Sequence, residues 1–169
     1  NVAVGYEALS TETAYSENTA IGYQALKTNS GGYYNVAVGH EALLSNTTAQ
    51  SNTGIGNNAL RENTTGTENT AVGANAGDAL TTGSYNIAIG ADALGADTLG
   101  SRSIAIGRRT LHAQNFTSAT DAYNTAVGFE AGNDITTGTN NTFIGSLAGD
   151  ATDDGAANTA VGMSALSAN

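Results

Sequence analysis

The step Ala-Val/Ile-Gly returns along this chain at a fixed interval, almost without error. Its glycines are Gly5, Gly22, Gly39, Gly56, Gly73, Gly90, Gly107, Gly128, Gly145 and Gly162. Eight of the nine intervals are 17 residues, and one, Gly107 to Gly128, is 21. A fixed period of this size reads as a solenoid with one supersecondary unit per repeat. The same unit runs from end to end, so no change of composition marks a second domain. Residues 1–169 are therefore expected to form a single β-solenoid domain of ten 17-residue rungs, with a four-residue insertion in the repeat 103–123.

Composition matters where it competes with that reading. Charged residues are only 12% of the chain, a bias that suits disorder. Disorder, however, has no use for a strict aliphatic register, so the period decides for structure. Pro is absent, and nothing interrupts continuous ladder hydrogen bonding. Cys is absent, which removes disulfides and thiolate metal sites. The net charge of −10 argues against nucleic acid or an anionic membrane as a partner. No apolar run approaches the roughly 20 residues of a spanning helix, so no membrane insertion is expected. The chain starts on a repeat boundary at Asn1, without Met, and stops inside a repeat at Asn169. It is expected to be a piece of a longer protein.

Each repeat can be numbered from the residue four before its glycine, taken as offset zero. Offset zero is Asn in nine of ten repeats, including Asn18, Asn35, Asn52 and Asn69, with Ser103 the exception. Stacked at ~4.8 Å, such a column can form an amide ladder, or serve as the turn residue before each strand. Offset three is Val or Ile throughout, as in Val38, Ile55, Val72 and Ile89, and reads as the core column. Offset two is Ala in eight repeats, Gly54 once and Phe143 once, and points to the opposite face because strand side chains alternate. A strand apolar on both faces is normally buried on both. The methyl column at offset two is thus expected to pack against another chain.

Offset eight is Leu in seven repeats and Gly77, Gly132 or Gly149 in the other three. In six of the Leu repeats, offset eleven is Glu12, Asn29, Asn46, Asn63, Asp97 or Asn169. Where offset eight is Gly, offset eleven becomes Leu80, Ile135 or Thr152. Positions three apart share a face only in a helical turn. One apolar site that either position can fill, inside a single tight turn, accounts for the swap. Glycines near offset fourteen are expected to open the return to the next rung. The rung then reads strand, glycine bend, short strand, turn and loop.

The units Asn18-Thr-Ala-Ile-Gly-Tyr-Gln-Ala-Leu26 and Asn69-Thr-Ala-Val-Gly-Ala-Asn-Ala-Gly77 resemble the head repeats of trimeric autotransporter adhesins. They are also similar to repeat arrays in phage and bacterial tail-fibre-like proteins. The resemblance covers all ten repeats. It implies an all-β fold, a left-handed parallel β-roll in which three copies stand side by side as a homotrimer. It also implies display outside a cell or on a virion, and a role in attachment. This chain differs in repeat length, the extra residues falling in the loop after offset nine.

Chemistry is sparse in the sequence. His40 and His112 sit in different repeats, no Cys pairs with them, and no nucleophile–base–orienter set can be assembled. Glu7 and Glu41, with Gln24 between them, could form a stacked carboxylate pair for glycan cleavage, though a solvated acidic edge is the simpler reading. Asp150, Asp153 and Asp154 form the densest acidic cluster and a weak calcium candidate. Arg102, Arg108 and Arg109 lie beside His112 and the insertion within 113–123. With Phe116 and Tyr123 they could grip an acidic sugar, or salt-bridge to a neighbouring chain. Tyr6, Tyr23, Tyr33 and Tyr34 could stack on sugars or pack at a subunit seam. No cofactor motif is present. The expectation is a non-enzymatic structural and adhesive segment of an extracellular or virion fibre. The competing expectation is a glycan-binding or glycan-degrading fibre domain with an inter-chain site. An ice-binding solenoid fits less well, because offset one mixes Thr with Val and Ile.

Overall fold

The computed structural model describes residues 1–13 and 17–167; Asn169, assigned above to offset eleven, lies outside them. Ten three-residue strands form one parallel sheet: β1 (Val2–Val4), β2 (Thr19–Ile21), β3 (Val36–Val38), β4 (Thr53–Ile55), β5 (Thr70–Val72), β6 (Ile87–Ile89), β8 (Ile104–Ile106), β10 (Thr125–Val127), β11 (Thr142–Ile144) and β12 (Thr159–Val161). Each pairs with the next at the same offset, as in Thr53 with Thr70 and Ile55 with Val72. The 21-residue repeat keeps this register, since Ile104 pairs with Thr125. Its extra residues instead pair β7 (Gly100–Ser101) with β9 (Thr120–Asp121) as a small second sheet. The protein is thus an all-β parallel solenoid, as the period predicts.

The two faces of the strand are the reverse of the expectation. Offset two points inward: Ala20, Ala37, Ala71, Ala105 and Ala126 are fully buried. Offset three points outward, and Val38, Ile55, Val72 and Ile89 stand half-exposed on the solenoid surface. The core is thin, as the small residues imply, but its aliphatic layer is the Leu of offset eight. Leu26, Leu43, Leu60, Leu94 and Leu111 are fully buried against the methyl groups of offsets two and seven. Opposite that layer there is room for a methyl and little more. A Cβ built at Gly54 would already lie 3.3 Å from Leu43 Cγ, so a Val or Ile column inside would overpack the coil.

Phe143 is the exception that supports the rule. It is fully buried at offset two, and its ring fills the space left by Gly149 in its own rung and Gly132 in the rung before. Leu80 likewise fills the site emptied by Gly77, as the swap predicts, and Ile135 is fully buried beside Gly138; Thr152 is only partly buried, the space over Gly149 being taken by Phe143. The turn that holds this site is tight: the amides of Asn29, Asn46, Asn63 and Leu80 each donate to the carbonyl three residues back, at 3.1–3.2 Å. It leaves no room for the second strand expected after the glycine. Offsets six and eight are both left-handed, for instance Asn58 at φ 56° and Leu60 at φ 53°, and two such residues within three break an extended run.

The glycine at offset four is required by close approach. These residues adopt φ between 122° and 141°, and a Cβ on Gly73 would lie 2.7 Å from both the carbonyl carbon and oxygen of Gly90 in the next rung. The glycines at offset fourteen are not left-handed bends, since none of them has positive φ; Gly32, Gly66, Gly83 and Gly138 sit against the next rung's backbone, while Gly100 faces Asp97 and Phe116.

The Asn column at offset zero does bind rung to rung, but to backbone. Asn35 Oδ1 accepts from the Asn52 amide at 2.9 Å, and Asn35 Nδ2 donates to the Ala49 carbonyl at 2.8 Å. Asn18, Asn52 and Asn69 do the same. The amide-to-amide ladder lies at offset eleven, where Asn46 donates to Asn29 Oδ1 at 2.7 Å and Asn63 to Asn46 Oδ1 at 3.1 Å. All of these amides are buried, so pairing them matters; Asn63 Oδ1, where the ladder ends, is left without a partner.

Candidate interaction surface

Outward from the sheet run two columns of β-branched side chains. Offset one holds Thr, Val or Ile and offset three holds Val or Ile, so neither column carries a charge. Offset sixteen borders them on one edge, with Tyr34, Tyr85, Arg102 and Tyr123; offset five borders them on the other, with Tyr6, Tyr23, His40, Arg108 and Phe129. Among the described residues, every large exposed apolar side chain apart from Leu166 falls in these four columns. The exposure is substantial: Ile106 keeps 36%, Phe129 46% and Tyr34 55% of its surface. A contiguous one-sided patch of this kind is what marks an interaction surface on a soluble protein.

The edges are ordered by stacking along the axis. Tyr6 and Tyr23 stack at 5.4 Å, and Tyr23 and His40 at 5.0 Å. Arg102 lies between two rings, 4.7 Å from the Tyr85 centroid and 5.9 Å from that of Tyr123, while its Nε donates to Asp121 Oδ1 at 3.0 Å. Arg108 lies 5.7 Å from the Phe129 centroid, and Arg108 and Arg109 both stand 3.6 Å from Glu130 Oε1.

The basic cluster expected around the insertion is therefore divided. Arg102 belongs to one edge of the sheet, while Arg108 and Arg109 belong to the other. Phe116, expected to face a ligand, is 5% exposed and plugs the space over Gly100. His112 stands apart at offset nine, beside Gly95. Arg102 has Asp121 of its own chain, while Arg108 and Arg109 share the single carboxylate of Glu130. Lys27 and Arg61 are tied likewise, to Glu7 at 2.6 Å and to Glu41 at 2.7 Å.

Glu7 and Glu41 are each engaged by a cation of their own chain, Lys27 and Arg61. The Lys27 ammonium and the Gln24 amide hold the Glu7 carboxyl below its usual range, the wrong direction for a general acid. Asp150, Asp153 and Asp154 do not converge either: among the described residues no group of three potential ligands can hold a metal ion. Asp153 Oδ1 instead accepts from Thr136 Oγ1 at 2.5 Å. No concave pocket forms among the described residues.

One buried group was missed at the level of sequence. Where Ser103 interrupts the Asn column, Gln114 from the insertion donates to Ser103 Oγ at 3.0 Å and to Asp97 Oδ2 at 2.6 Å, and accepts from Asn124 Nδ2 at 2.8 Å. Asp97 is fully buried, with the Gly100 amide at 2.9 Å on its other oxygen, and burial pushes its carboxyl above the usual range. The coincidence of the single Ser, the single Gln at offset eleven and the insertion in one repeat was the available signal. No family model matches the chain, and no curated protein or solved structure matches it either.

Proposed function

We propose that the chain is a non-enzymatic structural segment of an extracellular or virion fibre. It acts as a stiff spacer that assembles side by side as a homotrimer and presents attachment surfaces at a distance. The observation that carries this reading is the set of hydrogen-bonded columns along the axis, in which the strand ladder carries across the break that Ser103 makes in the Asn column. Strand ladders, the offset-zero Asn bonds and the buried turns bind each rung to the next at the same offset. Ten rungs at ~4.8 Å make a rod roughly 45 Å long. Identical rungs extend such a rod without changing its cross-section. The resemblance to adhesin heads and tail-fibre arrays supports placing the rod outside the cell or on a virion.

The glycan reading has less support. Arg102 is paired with Asp121, Arg108 and Arg109 share Glu130, and Tyr23 spends both ring faces on Tyr6 and His40.

Small-angle scattering tests the spacer. Duplicating residues 52–85, two whole rungs, should lengthen the rod by about 10 Å at constant cross-section. A thicker or irregular particle would sink the reading. Antibodies against the segment should label intact cells or virions.

A further inference from the structure

We propose that residues 114–122 form a strap laid over the rod and gated by the carboxyl buried beneath it: the strap is held down while Asp97 is protonated and released when Asp97 is ionised. This goes beyond the spacer reading and does not depend on it.

Asp97 occupies offset eleven, the place of the buried amides of Asn29, Asn46 and Asn63. Those side chains are neutral, and each donates to the carbonyl three residues on, at 2.9–3.2 Å. Asp97 is buried as deeply, but once ionised it carries a charge and has no hydrogen to donate. No cation answers it. By register the rung before sets Leu80 against it. Its own rung supplies the Gly100 amide at 2.9 Å, and the strap supplies Gln114 Nε2 at 2.6 Å and the Phe116 amide at 3.5 Å. All of these groups are neutral. The charged groups of the adjoining segments lie elsewhere: Asp121 of the strap is held by Arg102 at 3.0 Å, and Asp78 and His112 lie over Gly95 at offset nine. An ion among neutral groups is disfavoured against the same ion in water. Three N–H bonds offset part of that cost, but burial outweighs them and pushes the carboxyl above its usual range.

What ionisation releases is confined to the strap. Gln114 and Phe116, its two contacts with Asp97, both belong to the insertion, and residues 117–119 beyond them are exposed. The main sheet does not use these residues: Ile87 pairs with Ile104, and Ile104 with Thr125. The strap can therefore lift as a local opening while the rod stays intact. Lifting hydrates the carboxylate and uncovers Phe116, which the closed strap keeps at 5% exposure. The closed form binds the proton more tightly than the open one. Opening thus grows as pH rises from the ordinary 3.8 to the raised value, and is constant above it.

Hydrogen exchange of the full chain across this range, with each rate divided by that of an unstructured chain at the same pH, reads the opening. The probes are the Asn115 and Ala122 amides, which donate to the Thr136 and Ser101 carbonyls at 2.9 Å. Their protection should fall by about tenfold per pH unit within the window and then level, while that of the Gly90 and Gly107 amides at the main sheet stays constant. Asp97→Asn installs a side chain that offset eleven accepts in three other rungs, and should hold the strap equally at every pH. Gln114→Leu removes a donor to the ionised form and should widen the window, which mere weakening of the strap would not do. Flat protection at Asn115 and Ala122 in the wild type would overturn the inference. So would a pH response that survives in Asp97→Asn, a window unmoved by Gln114→Leu, or a loss shared equally by Gly90 and Gly107.

Discussion

Gly73→Ala and Gly162→Ala make the same change at the same offset of two rungs, in different surroundings. Gly73 holds φ 137°, and an added Cβ would meet the Gly90 carbonyl carbon and oxygen at 2.7 Å. Gly162 holds φ 122°, and an added Cβ would meet nothing within 4 Å. Both variants incur backbone strain of about 1–3 kcal/mol, since an L residue resists this region. Only the first must also push its rung away from the next one. Restoring an ordinary contact of ~3.4 Å requires an opening of about 0.7 Å. That stretches the bonds from the Gly90 amide to the Val72 carbonyl and from the Asp92 amide to the Ala74 carbonyl, now 2.8 and 2.9 Å, to the limit of hydrogen bonding. Losing two bonds adds about 2 kcal/mol. Gly73→Ala should thus unfold roughly 4–8 °C below Gly162→Ala in a thermal melt, at about 2–4 °C per kcal/mol for a chain of this length. Hydrogen exchange at Gly90 and Asp92 should accelerate in the first variant only. Equal losses in the two variants would refute the argument that inter-rung approach, and not backbone conformation alone, demands glycine there.

The reversed strand faces make a paired prediction: Ala71→Val should lower stability by about 1–3 kcal/mol through overpacking, while Val72→Ala should change it by less than ~1 kcal/mol and weaken association instead. Urea titration at concentrations where mass shows separate chains distinguishes the two. Phe143→Ala should cost about 3–5 kcal/mol, and adding Gly149→Leu should recover some of that loss, because Leu occupies the same left-handed site in other rungs; additivity of the two changes in melts would count against a shared cavity. Asp97 has its folded pKa raised by burial, so the native state binds more protons than the unfolded state between the raised value and the ordinary 3.8. As pH falls from neutral through that window, the wild type should gain stability relative to Asp97→Asn, and the difference should level off below the unfolded value. A flat difference across acid titration would show that the buried carboxyl is not disfavoured.

Much of the fold was legible because the solenoid repeats its evidence. Ten copies of one glycine step fix the rung length, and the swap between offsets eight and eleven fixes the apolar site of the turn before any coordinates are known. Leu80 falls where the swap puts it. The candidate site was less legible. Arg102 and Arg108 are close in sequence, yet a rung carries them around the strand to opposite edges of the sheet. Phe116 reads as a surface aromatic because the insertion has no counterpart in other repeats against which its direction could be judged.

The orientation of the strand was harder, for a physical reason. Alternation reports which face is buried only when one face is polar. Here Ala and Val/Ile alternate, and both read as core. Side-chain bulk then invites the larger residue inward, but the volume available inside depends on what lies opposite. The Leu at offset eight is that opposing layer, and it admits only methyl groups. The decisive clue was Phe143, the one large residue at offset two. Had offset two faced solvent or another chain, a Phe there would need no change elsewhere in its rung. Instead the same repeat and the one before it both lose their Leu, to Gly149 and Gly132. That the interior empties in the one place where offset two grows is evidence that offset two points into it.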